Sequence, residues 1–580
     1  MDQHELPALP VPDLCQSIDW YLKGLRPLLG EHEFAEAKTV AEHFCHNDGA
    51  ALHGKLLEYS RSIAPRSWLM PYSRDIYLTM RDPVTLVGNY LLELALPSFS
   101  EKYDYLEFTA ILAHSAGQLY LEIVHNTLPA MAHKETPLCM SQFQGAFRAT
   151  KIPHRNKDRF TFFQDFTEVH SFGVFCKNKF YTIKLIDEDG RIYSADCIRR
   201  ALQQIYHDKG SHAEASWNVL SLAGSDRAAE LIAEICQVPA NACSMDIVNK
   251  TMFIVTLTSL TSMQQPLADK LYNSTDDIWA YKPWSITVYQ DKVCAFNNEH
   301  TYMDGVNNVY LINRLLKKMA DFAGSFADNS QTAPLTPINF VLSPPIQEQL
   351  AAIKAQYQKT ASQIDIVRYV RDKLCIGKIK ARKLNVDACL QFAFQYAQLK
   401  VFKALRTTHE SVSVTQYYEG RTACIRSVSE ESAQFVGALL NGAPQKQLSD
   451  MLVQASCEHV QKIAKAKDFC CFIRHAAGLE IMYERFGREL GIPEKPPLFS
   501  DAAFATYCTQ YLSTSTLGNT PTVDTFAFAP VAPGGLGIGY VTHNDRLIAA
   551  ISFYRQDNAN IVLFQHALDE FFVKLELLLT

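Results

Sequence analysis

The 580-residue sequence has no apolar run of the ~20 residues a membrane-spanning helix needs, and its mean hydropathy is slightly negative, so no membrane span is expected. It has no excess of positive charge: 55 Lys and Arg stand against 61 Asp and Glu, a net charge of -6. A nucleic-acid surface needs clustered cations, so no nucleic-acid partner is expected. Internal repeats, low-complexity tracts and heptad runs are all missing, which excludes solenoid and coiled-coil architectures. The 15 cysteines lack a pattern: the count is odd, and no Cys-x-x-Cys comes with a matching Cys or His cluster. That reads as reduced, mostly buried thiols, with no metal site. The opening Met1-Asp2-Gln3-His4-Glu5 is acidic and polar, unlike a signal or transit peptide, and Leu578-Leu579-Thr580 carries no peroxisomal address. The expected location is the cytoplasm or another reducing compartment, with export from a bacterium left open, and the expected state is a monomer.

What is present is apolar and aromatic, 48% and 11% of residues, enough for two domains or two similar halves. Prolines make residues 6–12 extended, and a helix is predicted from about Asp13, with Leu14, Ile18, Tyr21, Leu22 and Leu25 on one side. Two more helical patterns run to about Ser62. The aromatic stretch 67–78, with Trp68, Tyr72 and Tyr77, reads either as core or as the wall of a site for an apolar or cationic ligand. The basic loop through Arg159 reads as a solvated turn. Residues 172–175 and 180–186 form a predicted hairpin. Asp328-Asn329-Ser330, Pro334, Pro337 and Pro344-Pro345 mark the best internal boundary.

The chain is organised around residues 297–306. An alternating run at 284–289, a turn and a second short strand lead into Glu299-His300-Thr301-Tyr302-Met303-Asp304-Gly305. A stripe at Val309, Ile312, Leu315, Leu316 and Met319 then has helical spacing. His300 is thus predicted at a strand end, before a glycine-containing loop and a helix. An imidazole there can meet a substrate, and its near-neutral pKa suits proton abstraction. Taken alone, the pattern also fits a histidine in a loop capped by an aspartate. Further on, residues 377–383 are basic and Asn385 is a predicted N-cap, with Asp387 in the first turn of a helix. Those cations could meet phosphates, or form a solvated loop.

Several motifs share one resemblance. They are Glu299-His300 with Asp304-Gly305; residues 377–387; Glu410-Ser411-Val412-Ser413 followed by Gly420-Arg421-Thr422-Ala423-Cys424-Ile425-Arg426-Ser427; Arg474-His475-x-x-Gly478-Leu479; Leu512-Ser513-Thr514-Ser515; and the segment from Phe528-Ala529-Pro530-Val531 to Gly537. In order and spacing they resemble the choline/carnitine O-acyltransferase family, nearly end to end. The resemblance implies an α/β protein of two chloramphenicol-acetyltransferase-like halves with a tunnel between them. One half would be 63–342, carrying the histidine, and the other 1–62 with 343–580, carrying the CoA and acceptor motifs. It implies direct acyl transfer between coenzyme A and a small alcohol, with acyl-CoA as co-substrate and no permanently bound cofactor. By the resemblance His300 is the general base and Ser515 the oxyanion donor. Asp304 pairs with Arg421 as one unit, so reversing both charges is expected to cost less than reversing either. Lys380, Lys383 and Asp387 face the CoA nucleotide.

The acceptor end would comprise Thr422, Arg474, His409, Ser513, Phe528 and Tyr77. His409 stands where carnitine enzymes resemble Tyr, Cys424 where they resemble Thr, and Tyr72 and Ile76 replace a Trp and a small residue. An arginine facing the acceptor favours a carboxylate-bearing molecule, so carnitine is expected over choline or another small acceptor. If His409 binds that carboxylate as a cation, carnitine should bind better as pH falls through about 6.5. Phe526 would line the acyl tunnel and restrict it to short chains, acetyl first. A relative that binds CoA without catalysis is the third reading.

Overall fold

The computed structural model describes residues 5–163, 170–208, 217–273, 276–326 and 331–580. Residues 1–4, and Asp328-Asn329-Ser330 of the expected boundary, lie outside them. In chain order the strands begin with β1 (Asn89–Leu94) and the small hairpins β2 (Ala132–His133) with β3 (Thr136–Pro137) and β4 (Ala149–Ile152) with β5 (Arg159–Phe162). Next come β6 (His170–Cys176), β7 (Lys179–Ile186), β8 (Ile254–Leu257), β9 (Ser285–Val288), β10 (Cys294–Glu299) and β11 (Leu335–Ile338). The remainder are β12 (Ile364–Arg371), β13 (Thr408–Ser413), β14 (Thr422–Arg426), β15 (Leu512–Asn519), β16 (Val523–Phe528), β17 (Leu536–His543) and β18 (Arg546–Tyr554).

These strands build two large mixed sheets, in the orders β11-β7-β6-β8-β9-β10-β1-β16 and β12-β18-β17-β15-β13-β14. Each sheet is covered by helices, because its apolar faces must be removed from water. In the first, Leu92, Phe172, Trp284 and Phe296 pack with Ile312 and Leu315 of the helix Gly305–Ala320. The other apolar layer includes Ile346, Leu350 and Tyr357 of the helix Pro344–Ala361, so the core continues across the proline-marked position 342/343. The second sheet packs against the helices Val386–Phe402 and Asn558–Leu578. The first three helices share a core with Val412 of β13, with Val414 just beyond it and with Phe472 of the helix Phe472–Phe486.

Local signals act as expected in several places. Asp13 caps the first helix by accepting the Gln16 N–H at 2.9 Å, and Asn385 caps Val386–Phe402 by accepting the Ala388 N–H at 2.9 Å. Residues 170–186 form the β6–β7 hairpin, and the basic loop is the exposed turn between β4 and β5.

The two halves are stitched by β16. It lies between β15 and β17 in sequence, yet pairs antiparallel with β1 of the other sheet, setting Tyr90 opposite Phe528 and Leu92 opposite Phe526. β17 passes so close beneath it that a Cβ on Gly539 would stand 2.2 Å from the Phe526 carbonyl oxygen. Only glycine allows that approach. The result is an α/β molecule of two sheet-centred halves, with its functional residues at the seam.

Candidate active site

β10 ends at Glu299, and His300 is the first residue beyond it. Glu299 is anchored by Thr301, whose hydroxyl donates to it at 2.5 Å and whose N–H donates at 3.1 Å. Tyr90 from β1 meets the imidazole edge-on with ring centroids 4.8 Å apart, and Tyr77, from the helix Met70–Thr79, lies 5.0 Å away. The loop sets the tautomer. His300 Nδ1 lies 3.0 Å from the Met303 carbonyl oxygen, which can only accept, so Nδ1 carries the proton and Nε2 keeps its lone pair. Burial holds the His300 pKa below the usual imidazole range, opposed by Asp304 and assisted by Arg421. The ring is therefore neutral at ordinary pH.

Asp304 does not form a triad with it. Its carboxylate is 3.9 Å from Nδ1, and its oxygens are taken by Arg421, at 2.8 Å from Nη2, and by Gln142 Nε2 at 2.9 Å. Gln142 also accepts the Asp304 N–H at 2.7 Å. Arg421 donates further to the carbonyls of Thr301 at 2.7 Å and His300 at 3.0 Å. One guanidinium from the second half thus fixes the loop that carries the histidine of the first.

His300, Asp304 and Arg421 open on a cavity of about 670 Å³. Ser513, Ser515, Thr422, Arg474, His409, Tyr77, Phe526, Phe528 and Asp387 also line it, so residues spread over some four-fifths of the chain converge as the motifs required. Ser513 and Ser515 alternate on β15, and the Ser515 hydroxyl has no protein partner among the described residues. Arg474 reaches Thr422 Oγ1 at 3.4 Å, and no carboxylate pairs with it among the described residues. Gly478, in the same motif, has a packing role: a Cβ there would lie 2.6 Å from the Trp68 ring.

Other expected site residues stand in settings of their own. His409 does not become a cation: Arg426 Nη1 occupies its Nδ1 at 3.1 Å, so the remaining ring proton sits on Nε2, 3.2 Å from Ser411 Oγ. Burial, then Arg426 and Arg474, push its pKa well below the imidazole range, and the expected gain in carnitine binding at low pH is withdrawn. Lys380 and Lys383 do not line the cavity; they stand exposed, on the short helix Ile376–Ala381 and in the turn after it. Asp387 is not grouped with them. It lies inside, accepting from Tyr540 at 2.7 Å and His459 at 3.3 Å beside Glu410. Burial and Asp387 push the Glu410 pKa well above the carboxylate range, while His459 and Glu410 hold Asp387 low against burial. Tyr72 faces a neighbouring pocket with Glu480 and Arg485, while Ile76 borders both spaces. Cys424 lies behind the lining, against Cys471.

The family model described as Choline/Carnitine o-acyltransferase matches residues 9–570. The chain belongs to the choline/carnitine O-acyltransferase family. It is an O-acyltransferase that uses coenzyme A as co-substrate. It is 28% identical to the mitochondrial carnitine O-palmitoyltransferase 2 of Bos taurus over 99% of this chain and 92% of that protein. It is 26% identical to the mitochondrial carnitine O-acetyltransferase of Saccharomyces cerevisiae, over 94% of this chain and 83% of that protein. The choline O-acetyltransferase of Danio rerio is 27% identical, over 96% and 90%. Among the described residues no helix is long and apolar enough to cross a membrane.

The roles of Gln142, Tyr90 and Arg426 were not legible beforehand. Gln142 sits in a short 3-10 turn (Ser141–Gly145) with no motif around it, and its partner is 162 positions away. Arg426 offered one signal, its place within the segment following Gly420-Arg421.

Proposed function

We propose that this protein transfers a short acyl group, acetyl first, between coenzyme A and the hydroxyl of carnitine. One observation carries the choice of acceptor: Arg474 lines the cavity with no carboxylate partner among the described residues. A guanidinium removed from water without a counter-charge is costly, and an acceptor carboxylate supplies one. Choline has no such group. Phe526 supports the short chain, since it lines the cavity while packed against Tyr90 at 6.1 Å and Phe528 at 5.5 Å.

In this reading His300 Nε2 takes the proton of the carnitine hydroxyl as its oxygen attacks the thioester carbonyl. The tetrahedral oxyanion accepts a hydrogen bond from Ser515, a contribution of roughly 3 kcal/mol. Collapse expels the CoA thiolate, which takes the proton back from His300. No acyl group is held on the protein. The Phe528 ring face would attract the trimethylammonium. Lys380 and Lys383, exposed before the helix Val386–Phe402, would meet the CoA phosphates from outside the cavity. The test is a thiol-release assay with acetyl-CoA and either carnitine or choline. Carnitine should turn over faster, and Arg474→Gln should erase its advantage. A wild type that prefers choline would overturn the assignment.

A further inference from the structure

Behind the Arg474–Thr422 end of the cavity lies a pair of cysteines that the reaction does not use. Cys424 is in β14, two residues beyond Thr422, so both side chains point to the same face. Cys471 is the residue preceding the helix Phe472–Phe486, whose first turn carries Arg474. Their sulfurs are 3.5 Å apart, and the segments touch again through Cys471 Sγ, 3.1 Å from the Cys424 carbonyl oxygen and 3.3 Å from the Cys424 N–H. Both are buried, at 7% and 2% exposure.

We propose that Cys424 and Cys471 form a redox-modifiable dithiol, and that closing it to a disulfide weakens acceptor binding. The inference rests on reading the Arg474–Thr422 end as the acceptor site. Bringing the sulfurs to bonding distance moves them about 1.5 Å closer, which draws the start of the helix Phe472–Phe486 towards β14. Arg474 and Thr422 ride on those two segments, and the contact between them is already long at 3.4 Å. Misplacement of this size at a positioned charge lowers affinity about tenfold or more. The pair is chemically primed. Burial raises the Cys471 thiol, but its hydrogen bond with Cys424 and the Arg474 guanidinium pull it down to about 6. The same hydrogen bond, and burial, push Cys424 up. A thiol made more acidic in this way, 3.5 Å from a second thiol, has beside it the partner needed to close a disulfide. With hydrogen peroxide as oxidant, the Cys471 thiolate takes one peroxide oxygen to give a sulfenic acid and releases hydroxide. The Cys424 thiol then displaces water from that sulfur, and the S–S bond forms. Two thiols and one peroxide give one disulfide and two waters.

A second close pair, Cys15 and Cys45, with sulfurs 3.0 Å apart, would confuse the result, so the test uses Cys15→Ser/Cys45→Ser protein. This protein and a triple variant adding Cys424→Ser are treated with hydrogen peroxide, mapped by mass spectrometry, and titrated calorimetrically with carnitine, choline and CoA before and after. The expected result is a Cys424–Cys471 disulfide in the first protein. Its affinity for whichever acceptor binds should be lower by about tenfold or more, with CoA affinity unchanged, and dithiothreitol should reverse the effect. The triple variant should keep the same acceptor affinity before and after peroxide. Absence of the mapped disulfide overturns the proposal. So does a fall in affinity of equal size in the triple variant, or loss of CoA binding in parallel with acceptor binding. If the reduced protein binds choline but not carnitine, the carnitine reading fails while the oxidation ratio, taken with choline, still decides the dithiol. If it binds neither, the acceptor-site reading and the proposal resting on it both fall.

Discussion

At the scale of single residues, chemistry depends on how His300 is held. Its Nδ1 proton is committed to the Met303 carbonyl, so Nε2 is the only basic position, and replacing the ring removes it. His300→Ala should lower turnover by about 10²–10⁴-fold and leave CoA affinity, measured by calorimetry, unchanged. Near wild-type turnover would end the mechanism. The pH profile follows from the direction of the pKa shift. His300 must be neutral to act, and burial lowers its pKa, so activity is present above the folded value and lost as pH falls through it. The acid limb of kcat/KM should therefore lie below the free-imidazole value of about 6.5. A limb at or above that value would contradict the buried setting. His409 should add nothing, because Arg426 occupies the nitrogen that would have to protonate. Carnitine affinity measured between about pH 8 and 5.5 should show no gain at the acid end.

At the scale of elements, β16 joins the two sheets and forms the acyl wall. Strand periodicity of two puts Phe526 and Phe528 on one face, and pairing with β1 sets that face against Tyr90, which itself packs on His300. A phenyl ring at 526 leaves little room beyond a short chain, since overpacking a rigid site costs about 1–3 kcal/mol. Wild type should favour acetyl-CoA over octanoyl-CoA, and Phe526→Gly should raise the octanoyl-to-acetyl rate ratio. An unchanged ratio in the variant would remove the ring from the acyl path. The similarity to a palmitoyltransferase makes this ratio the sharpest measurement on the element.

At the scale of the molecule, Asp304 and Arg421 are a buried ion pair across the seam between the halves, each 7% exposed. Breaking such a pair from one side leaves an uncompensated charge and costs about 3–5 kcal/mol. Asp304→Ala and Arg421→Ala should each destabilise by that order in urea unfolding. The arginine variant should lose more, because two loop carbonyls also lose their donor. The double variant should lose less than the sum, and strict additivity would rule out a direct coupling. Exchanging both charges should still cost less than reversing either alone, although a carboxylate at 421 would face the carbonyls of Thr301 and His300 in both the single and the double variant.

The sequence by itself determined the local features and the order of the motifs. The strand before His300, the Asp13 and Asn385 caps, and the helix after Gly305 follow from periodicity and capping, which act within a few residues. The convergence of His300, Arg421, Arg474 and Ser515 on one cavity was implied by family likeness. Tertiary structure alone decided which side chains share that cavity and what state they are in. Arg426 neutralises His409 because β13 and β14 pair in the register His409↔Arg426. Asp387 turns inward because Tyr540 of β17 and His459, from a separate helix, reach it. Tyr72 leaves the pocket because it sits one helical turn before Ile76 and Tyr77, beside Glu480 and Arg485. These are contacts between segments distant in sequence. They are set by sheet register and helix packing, and neither has a local signature in the chain.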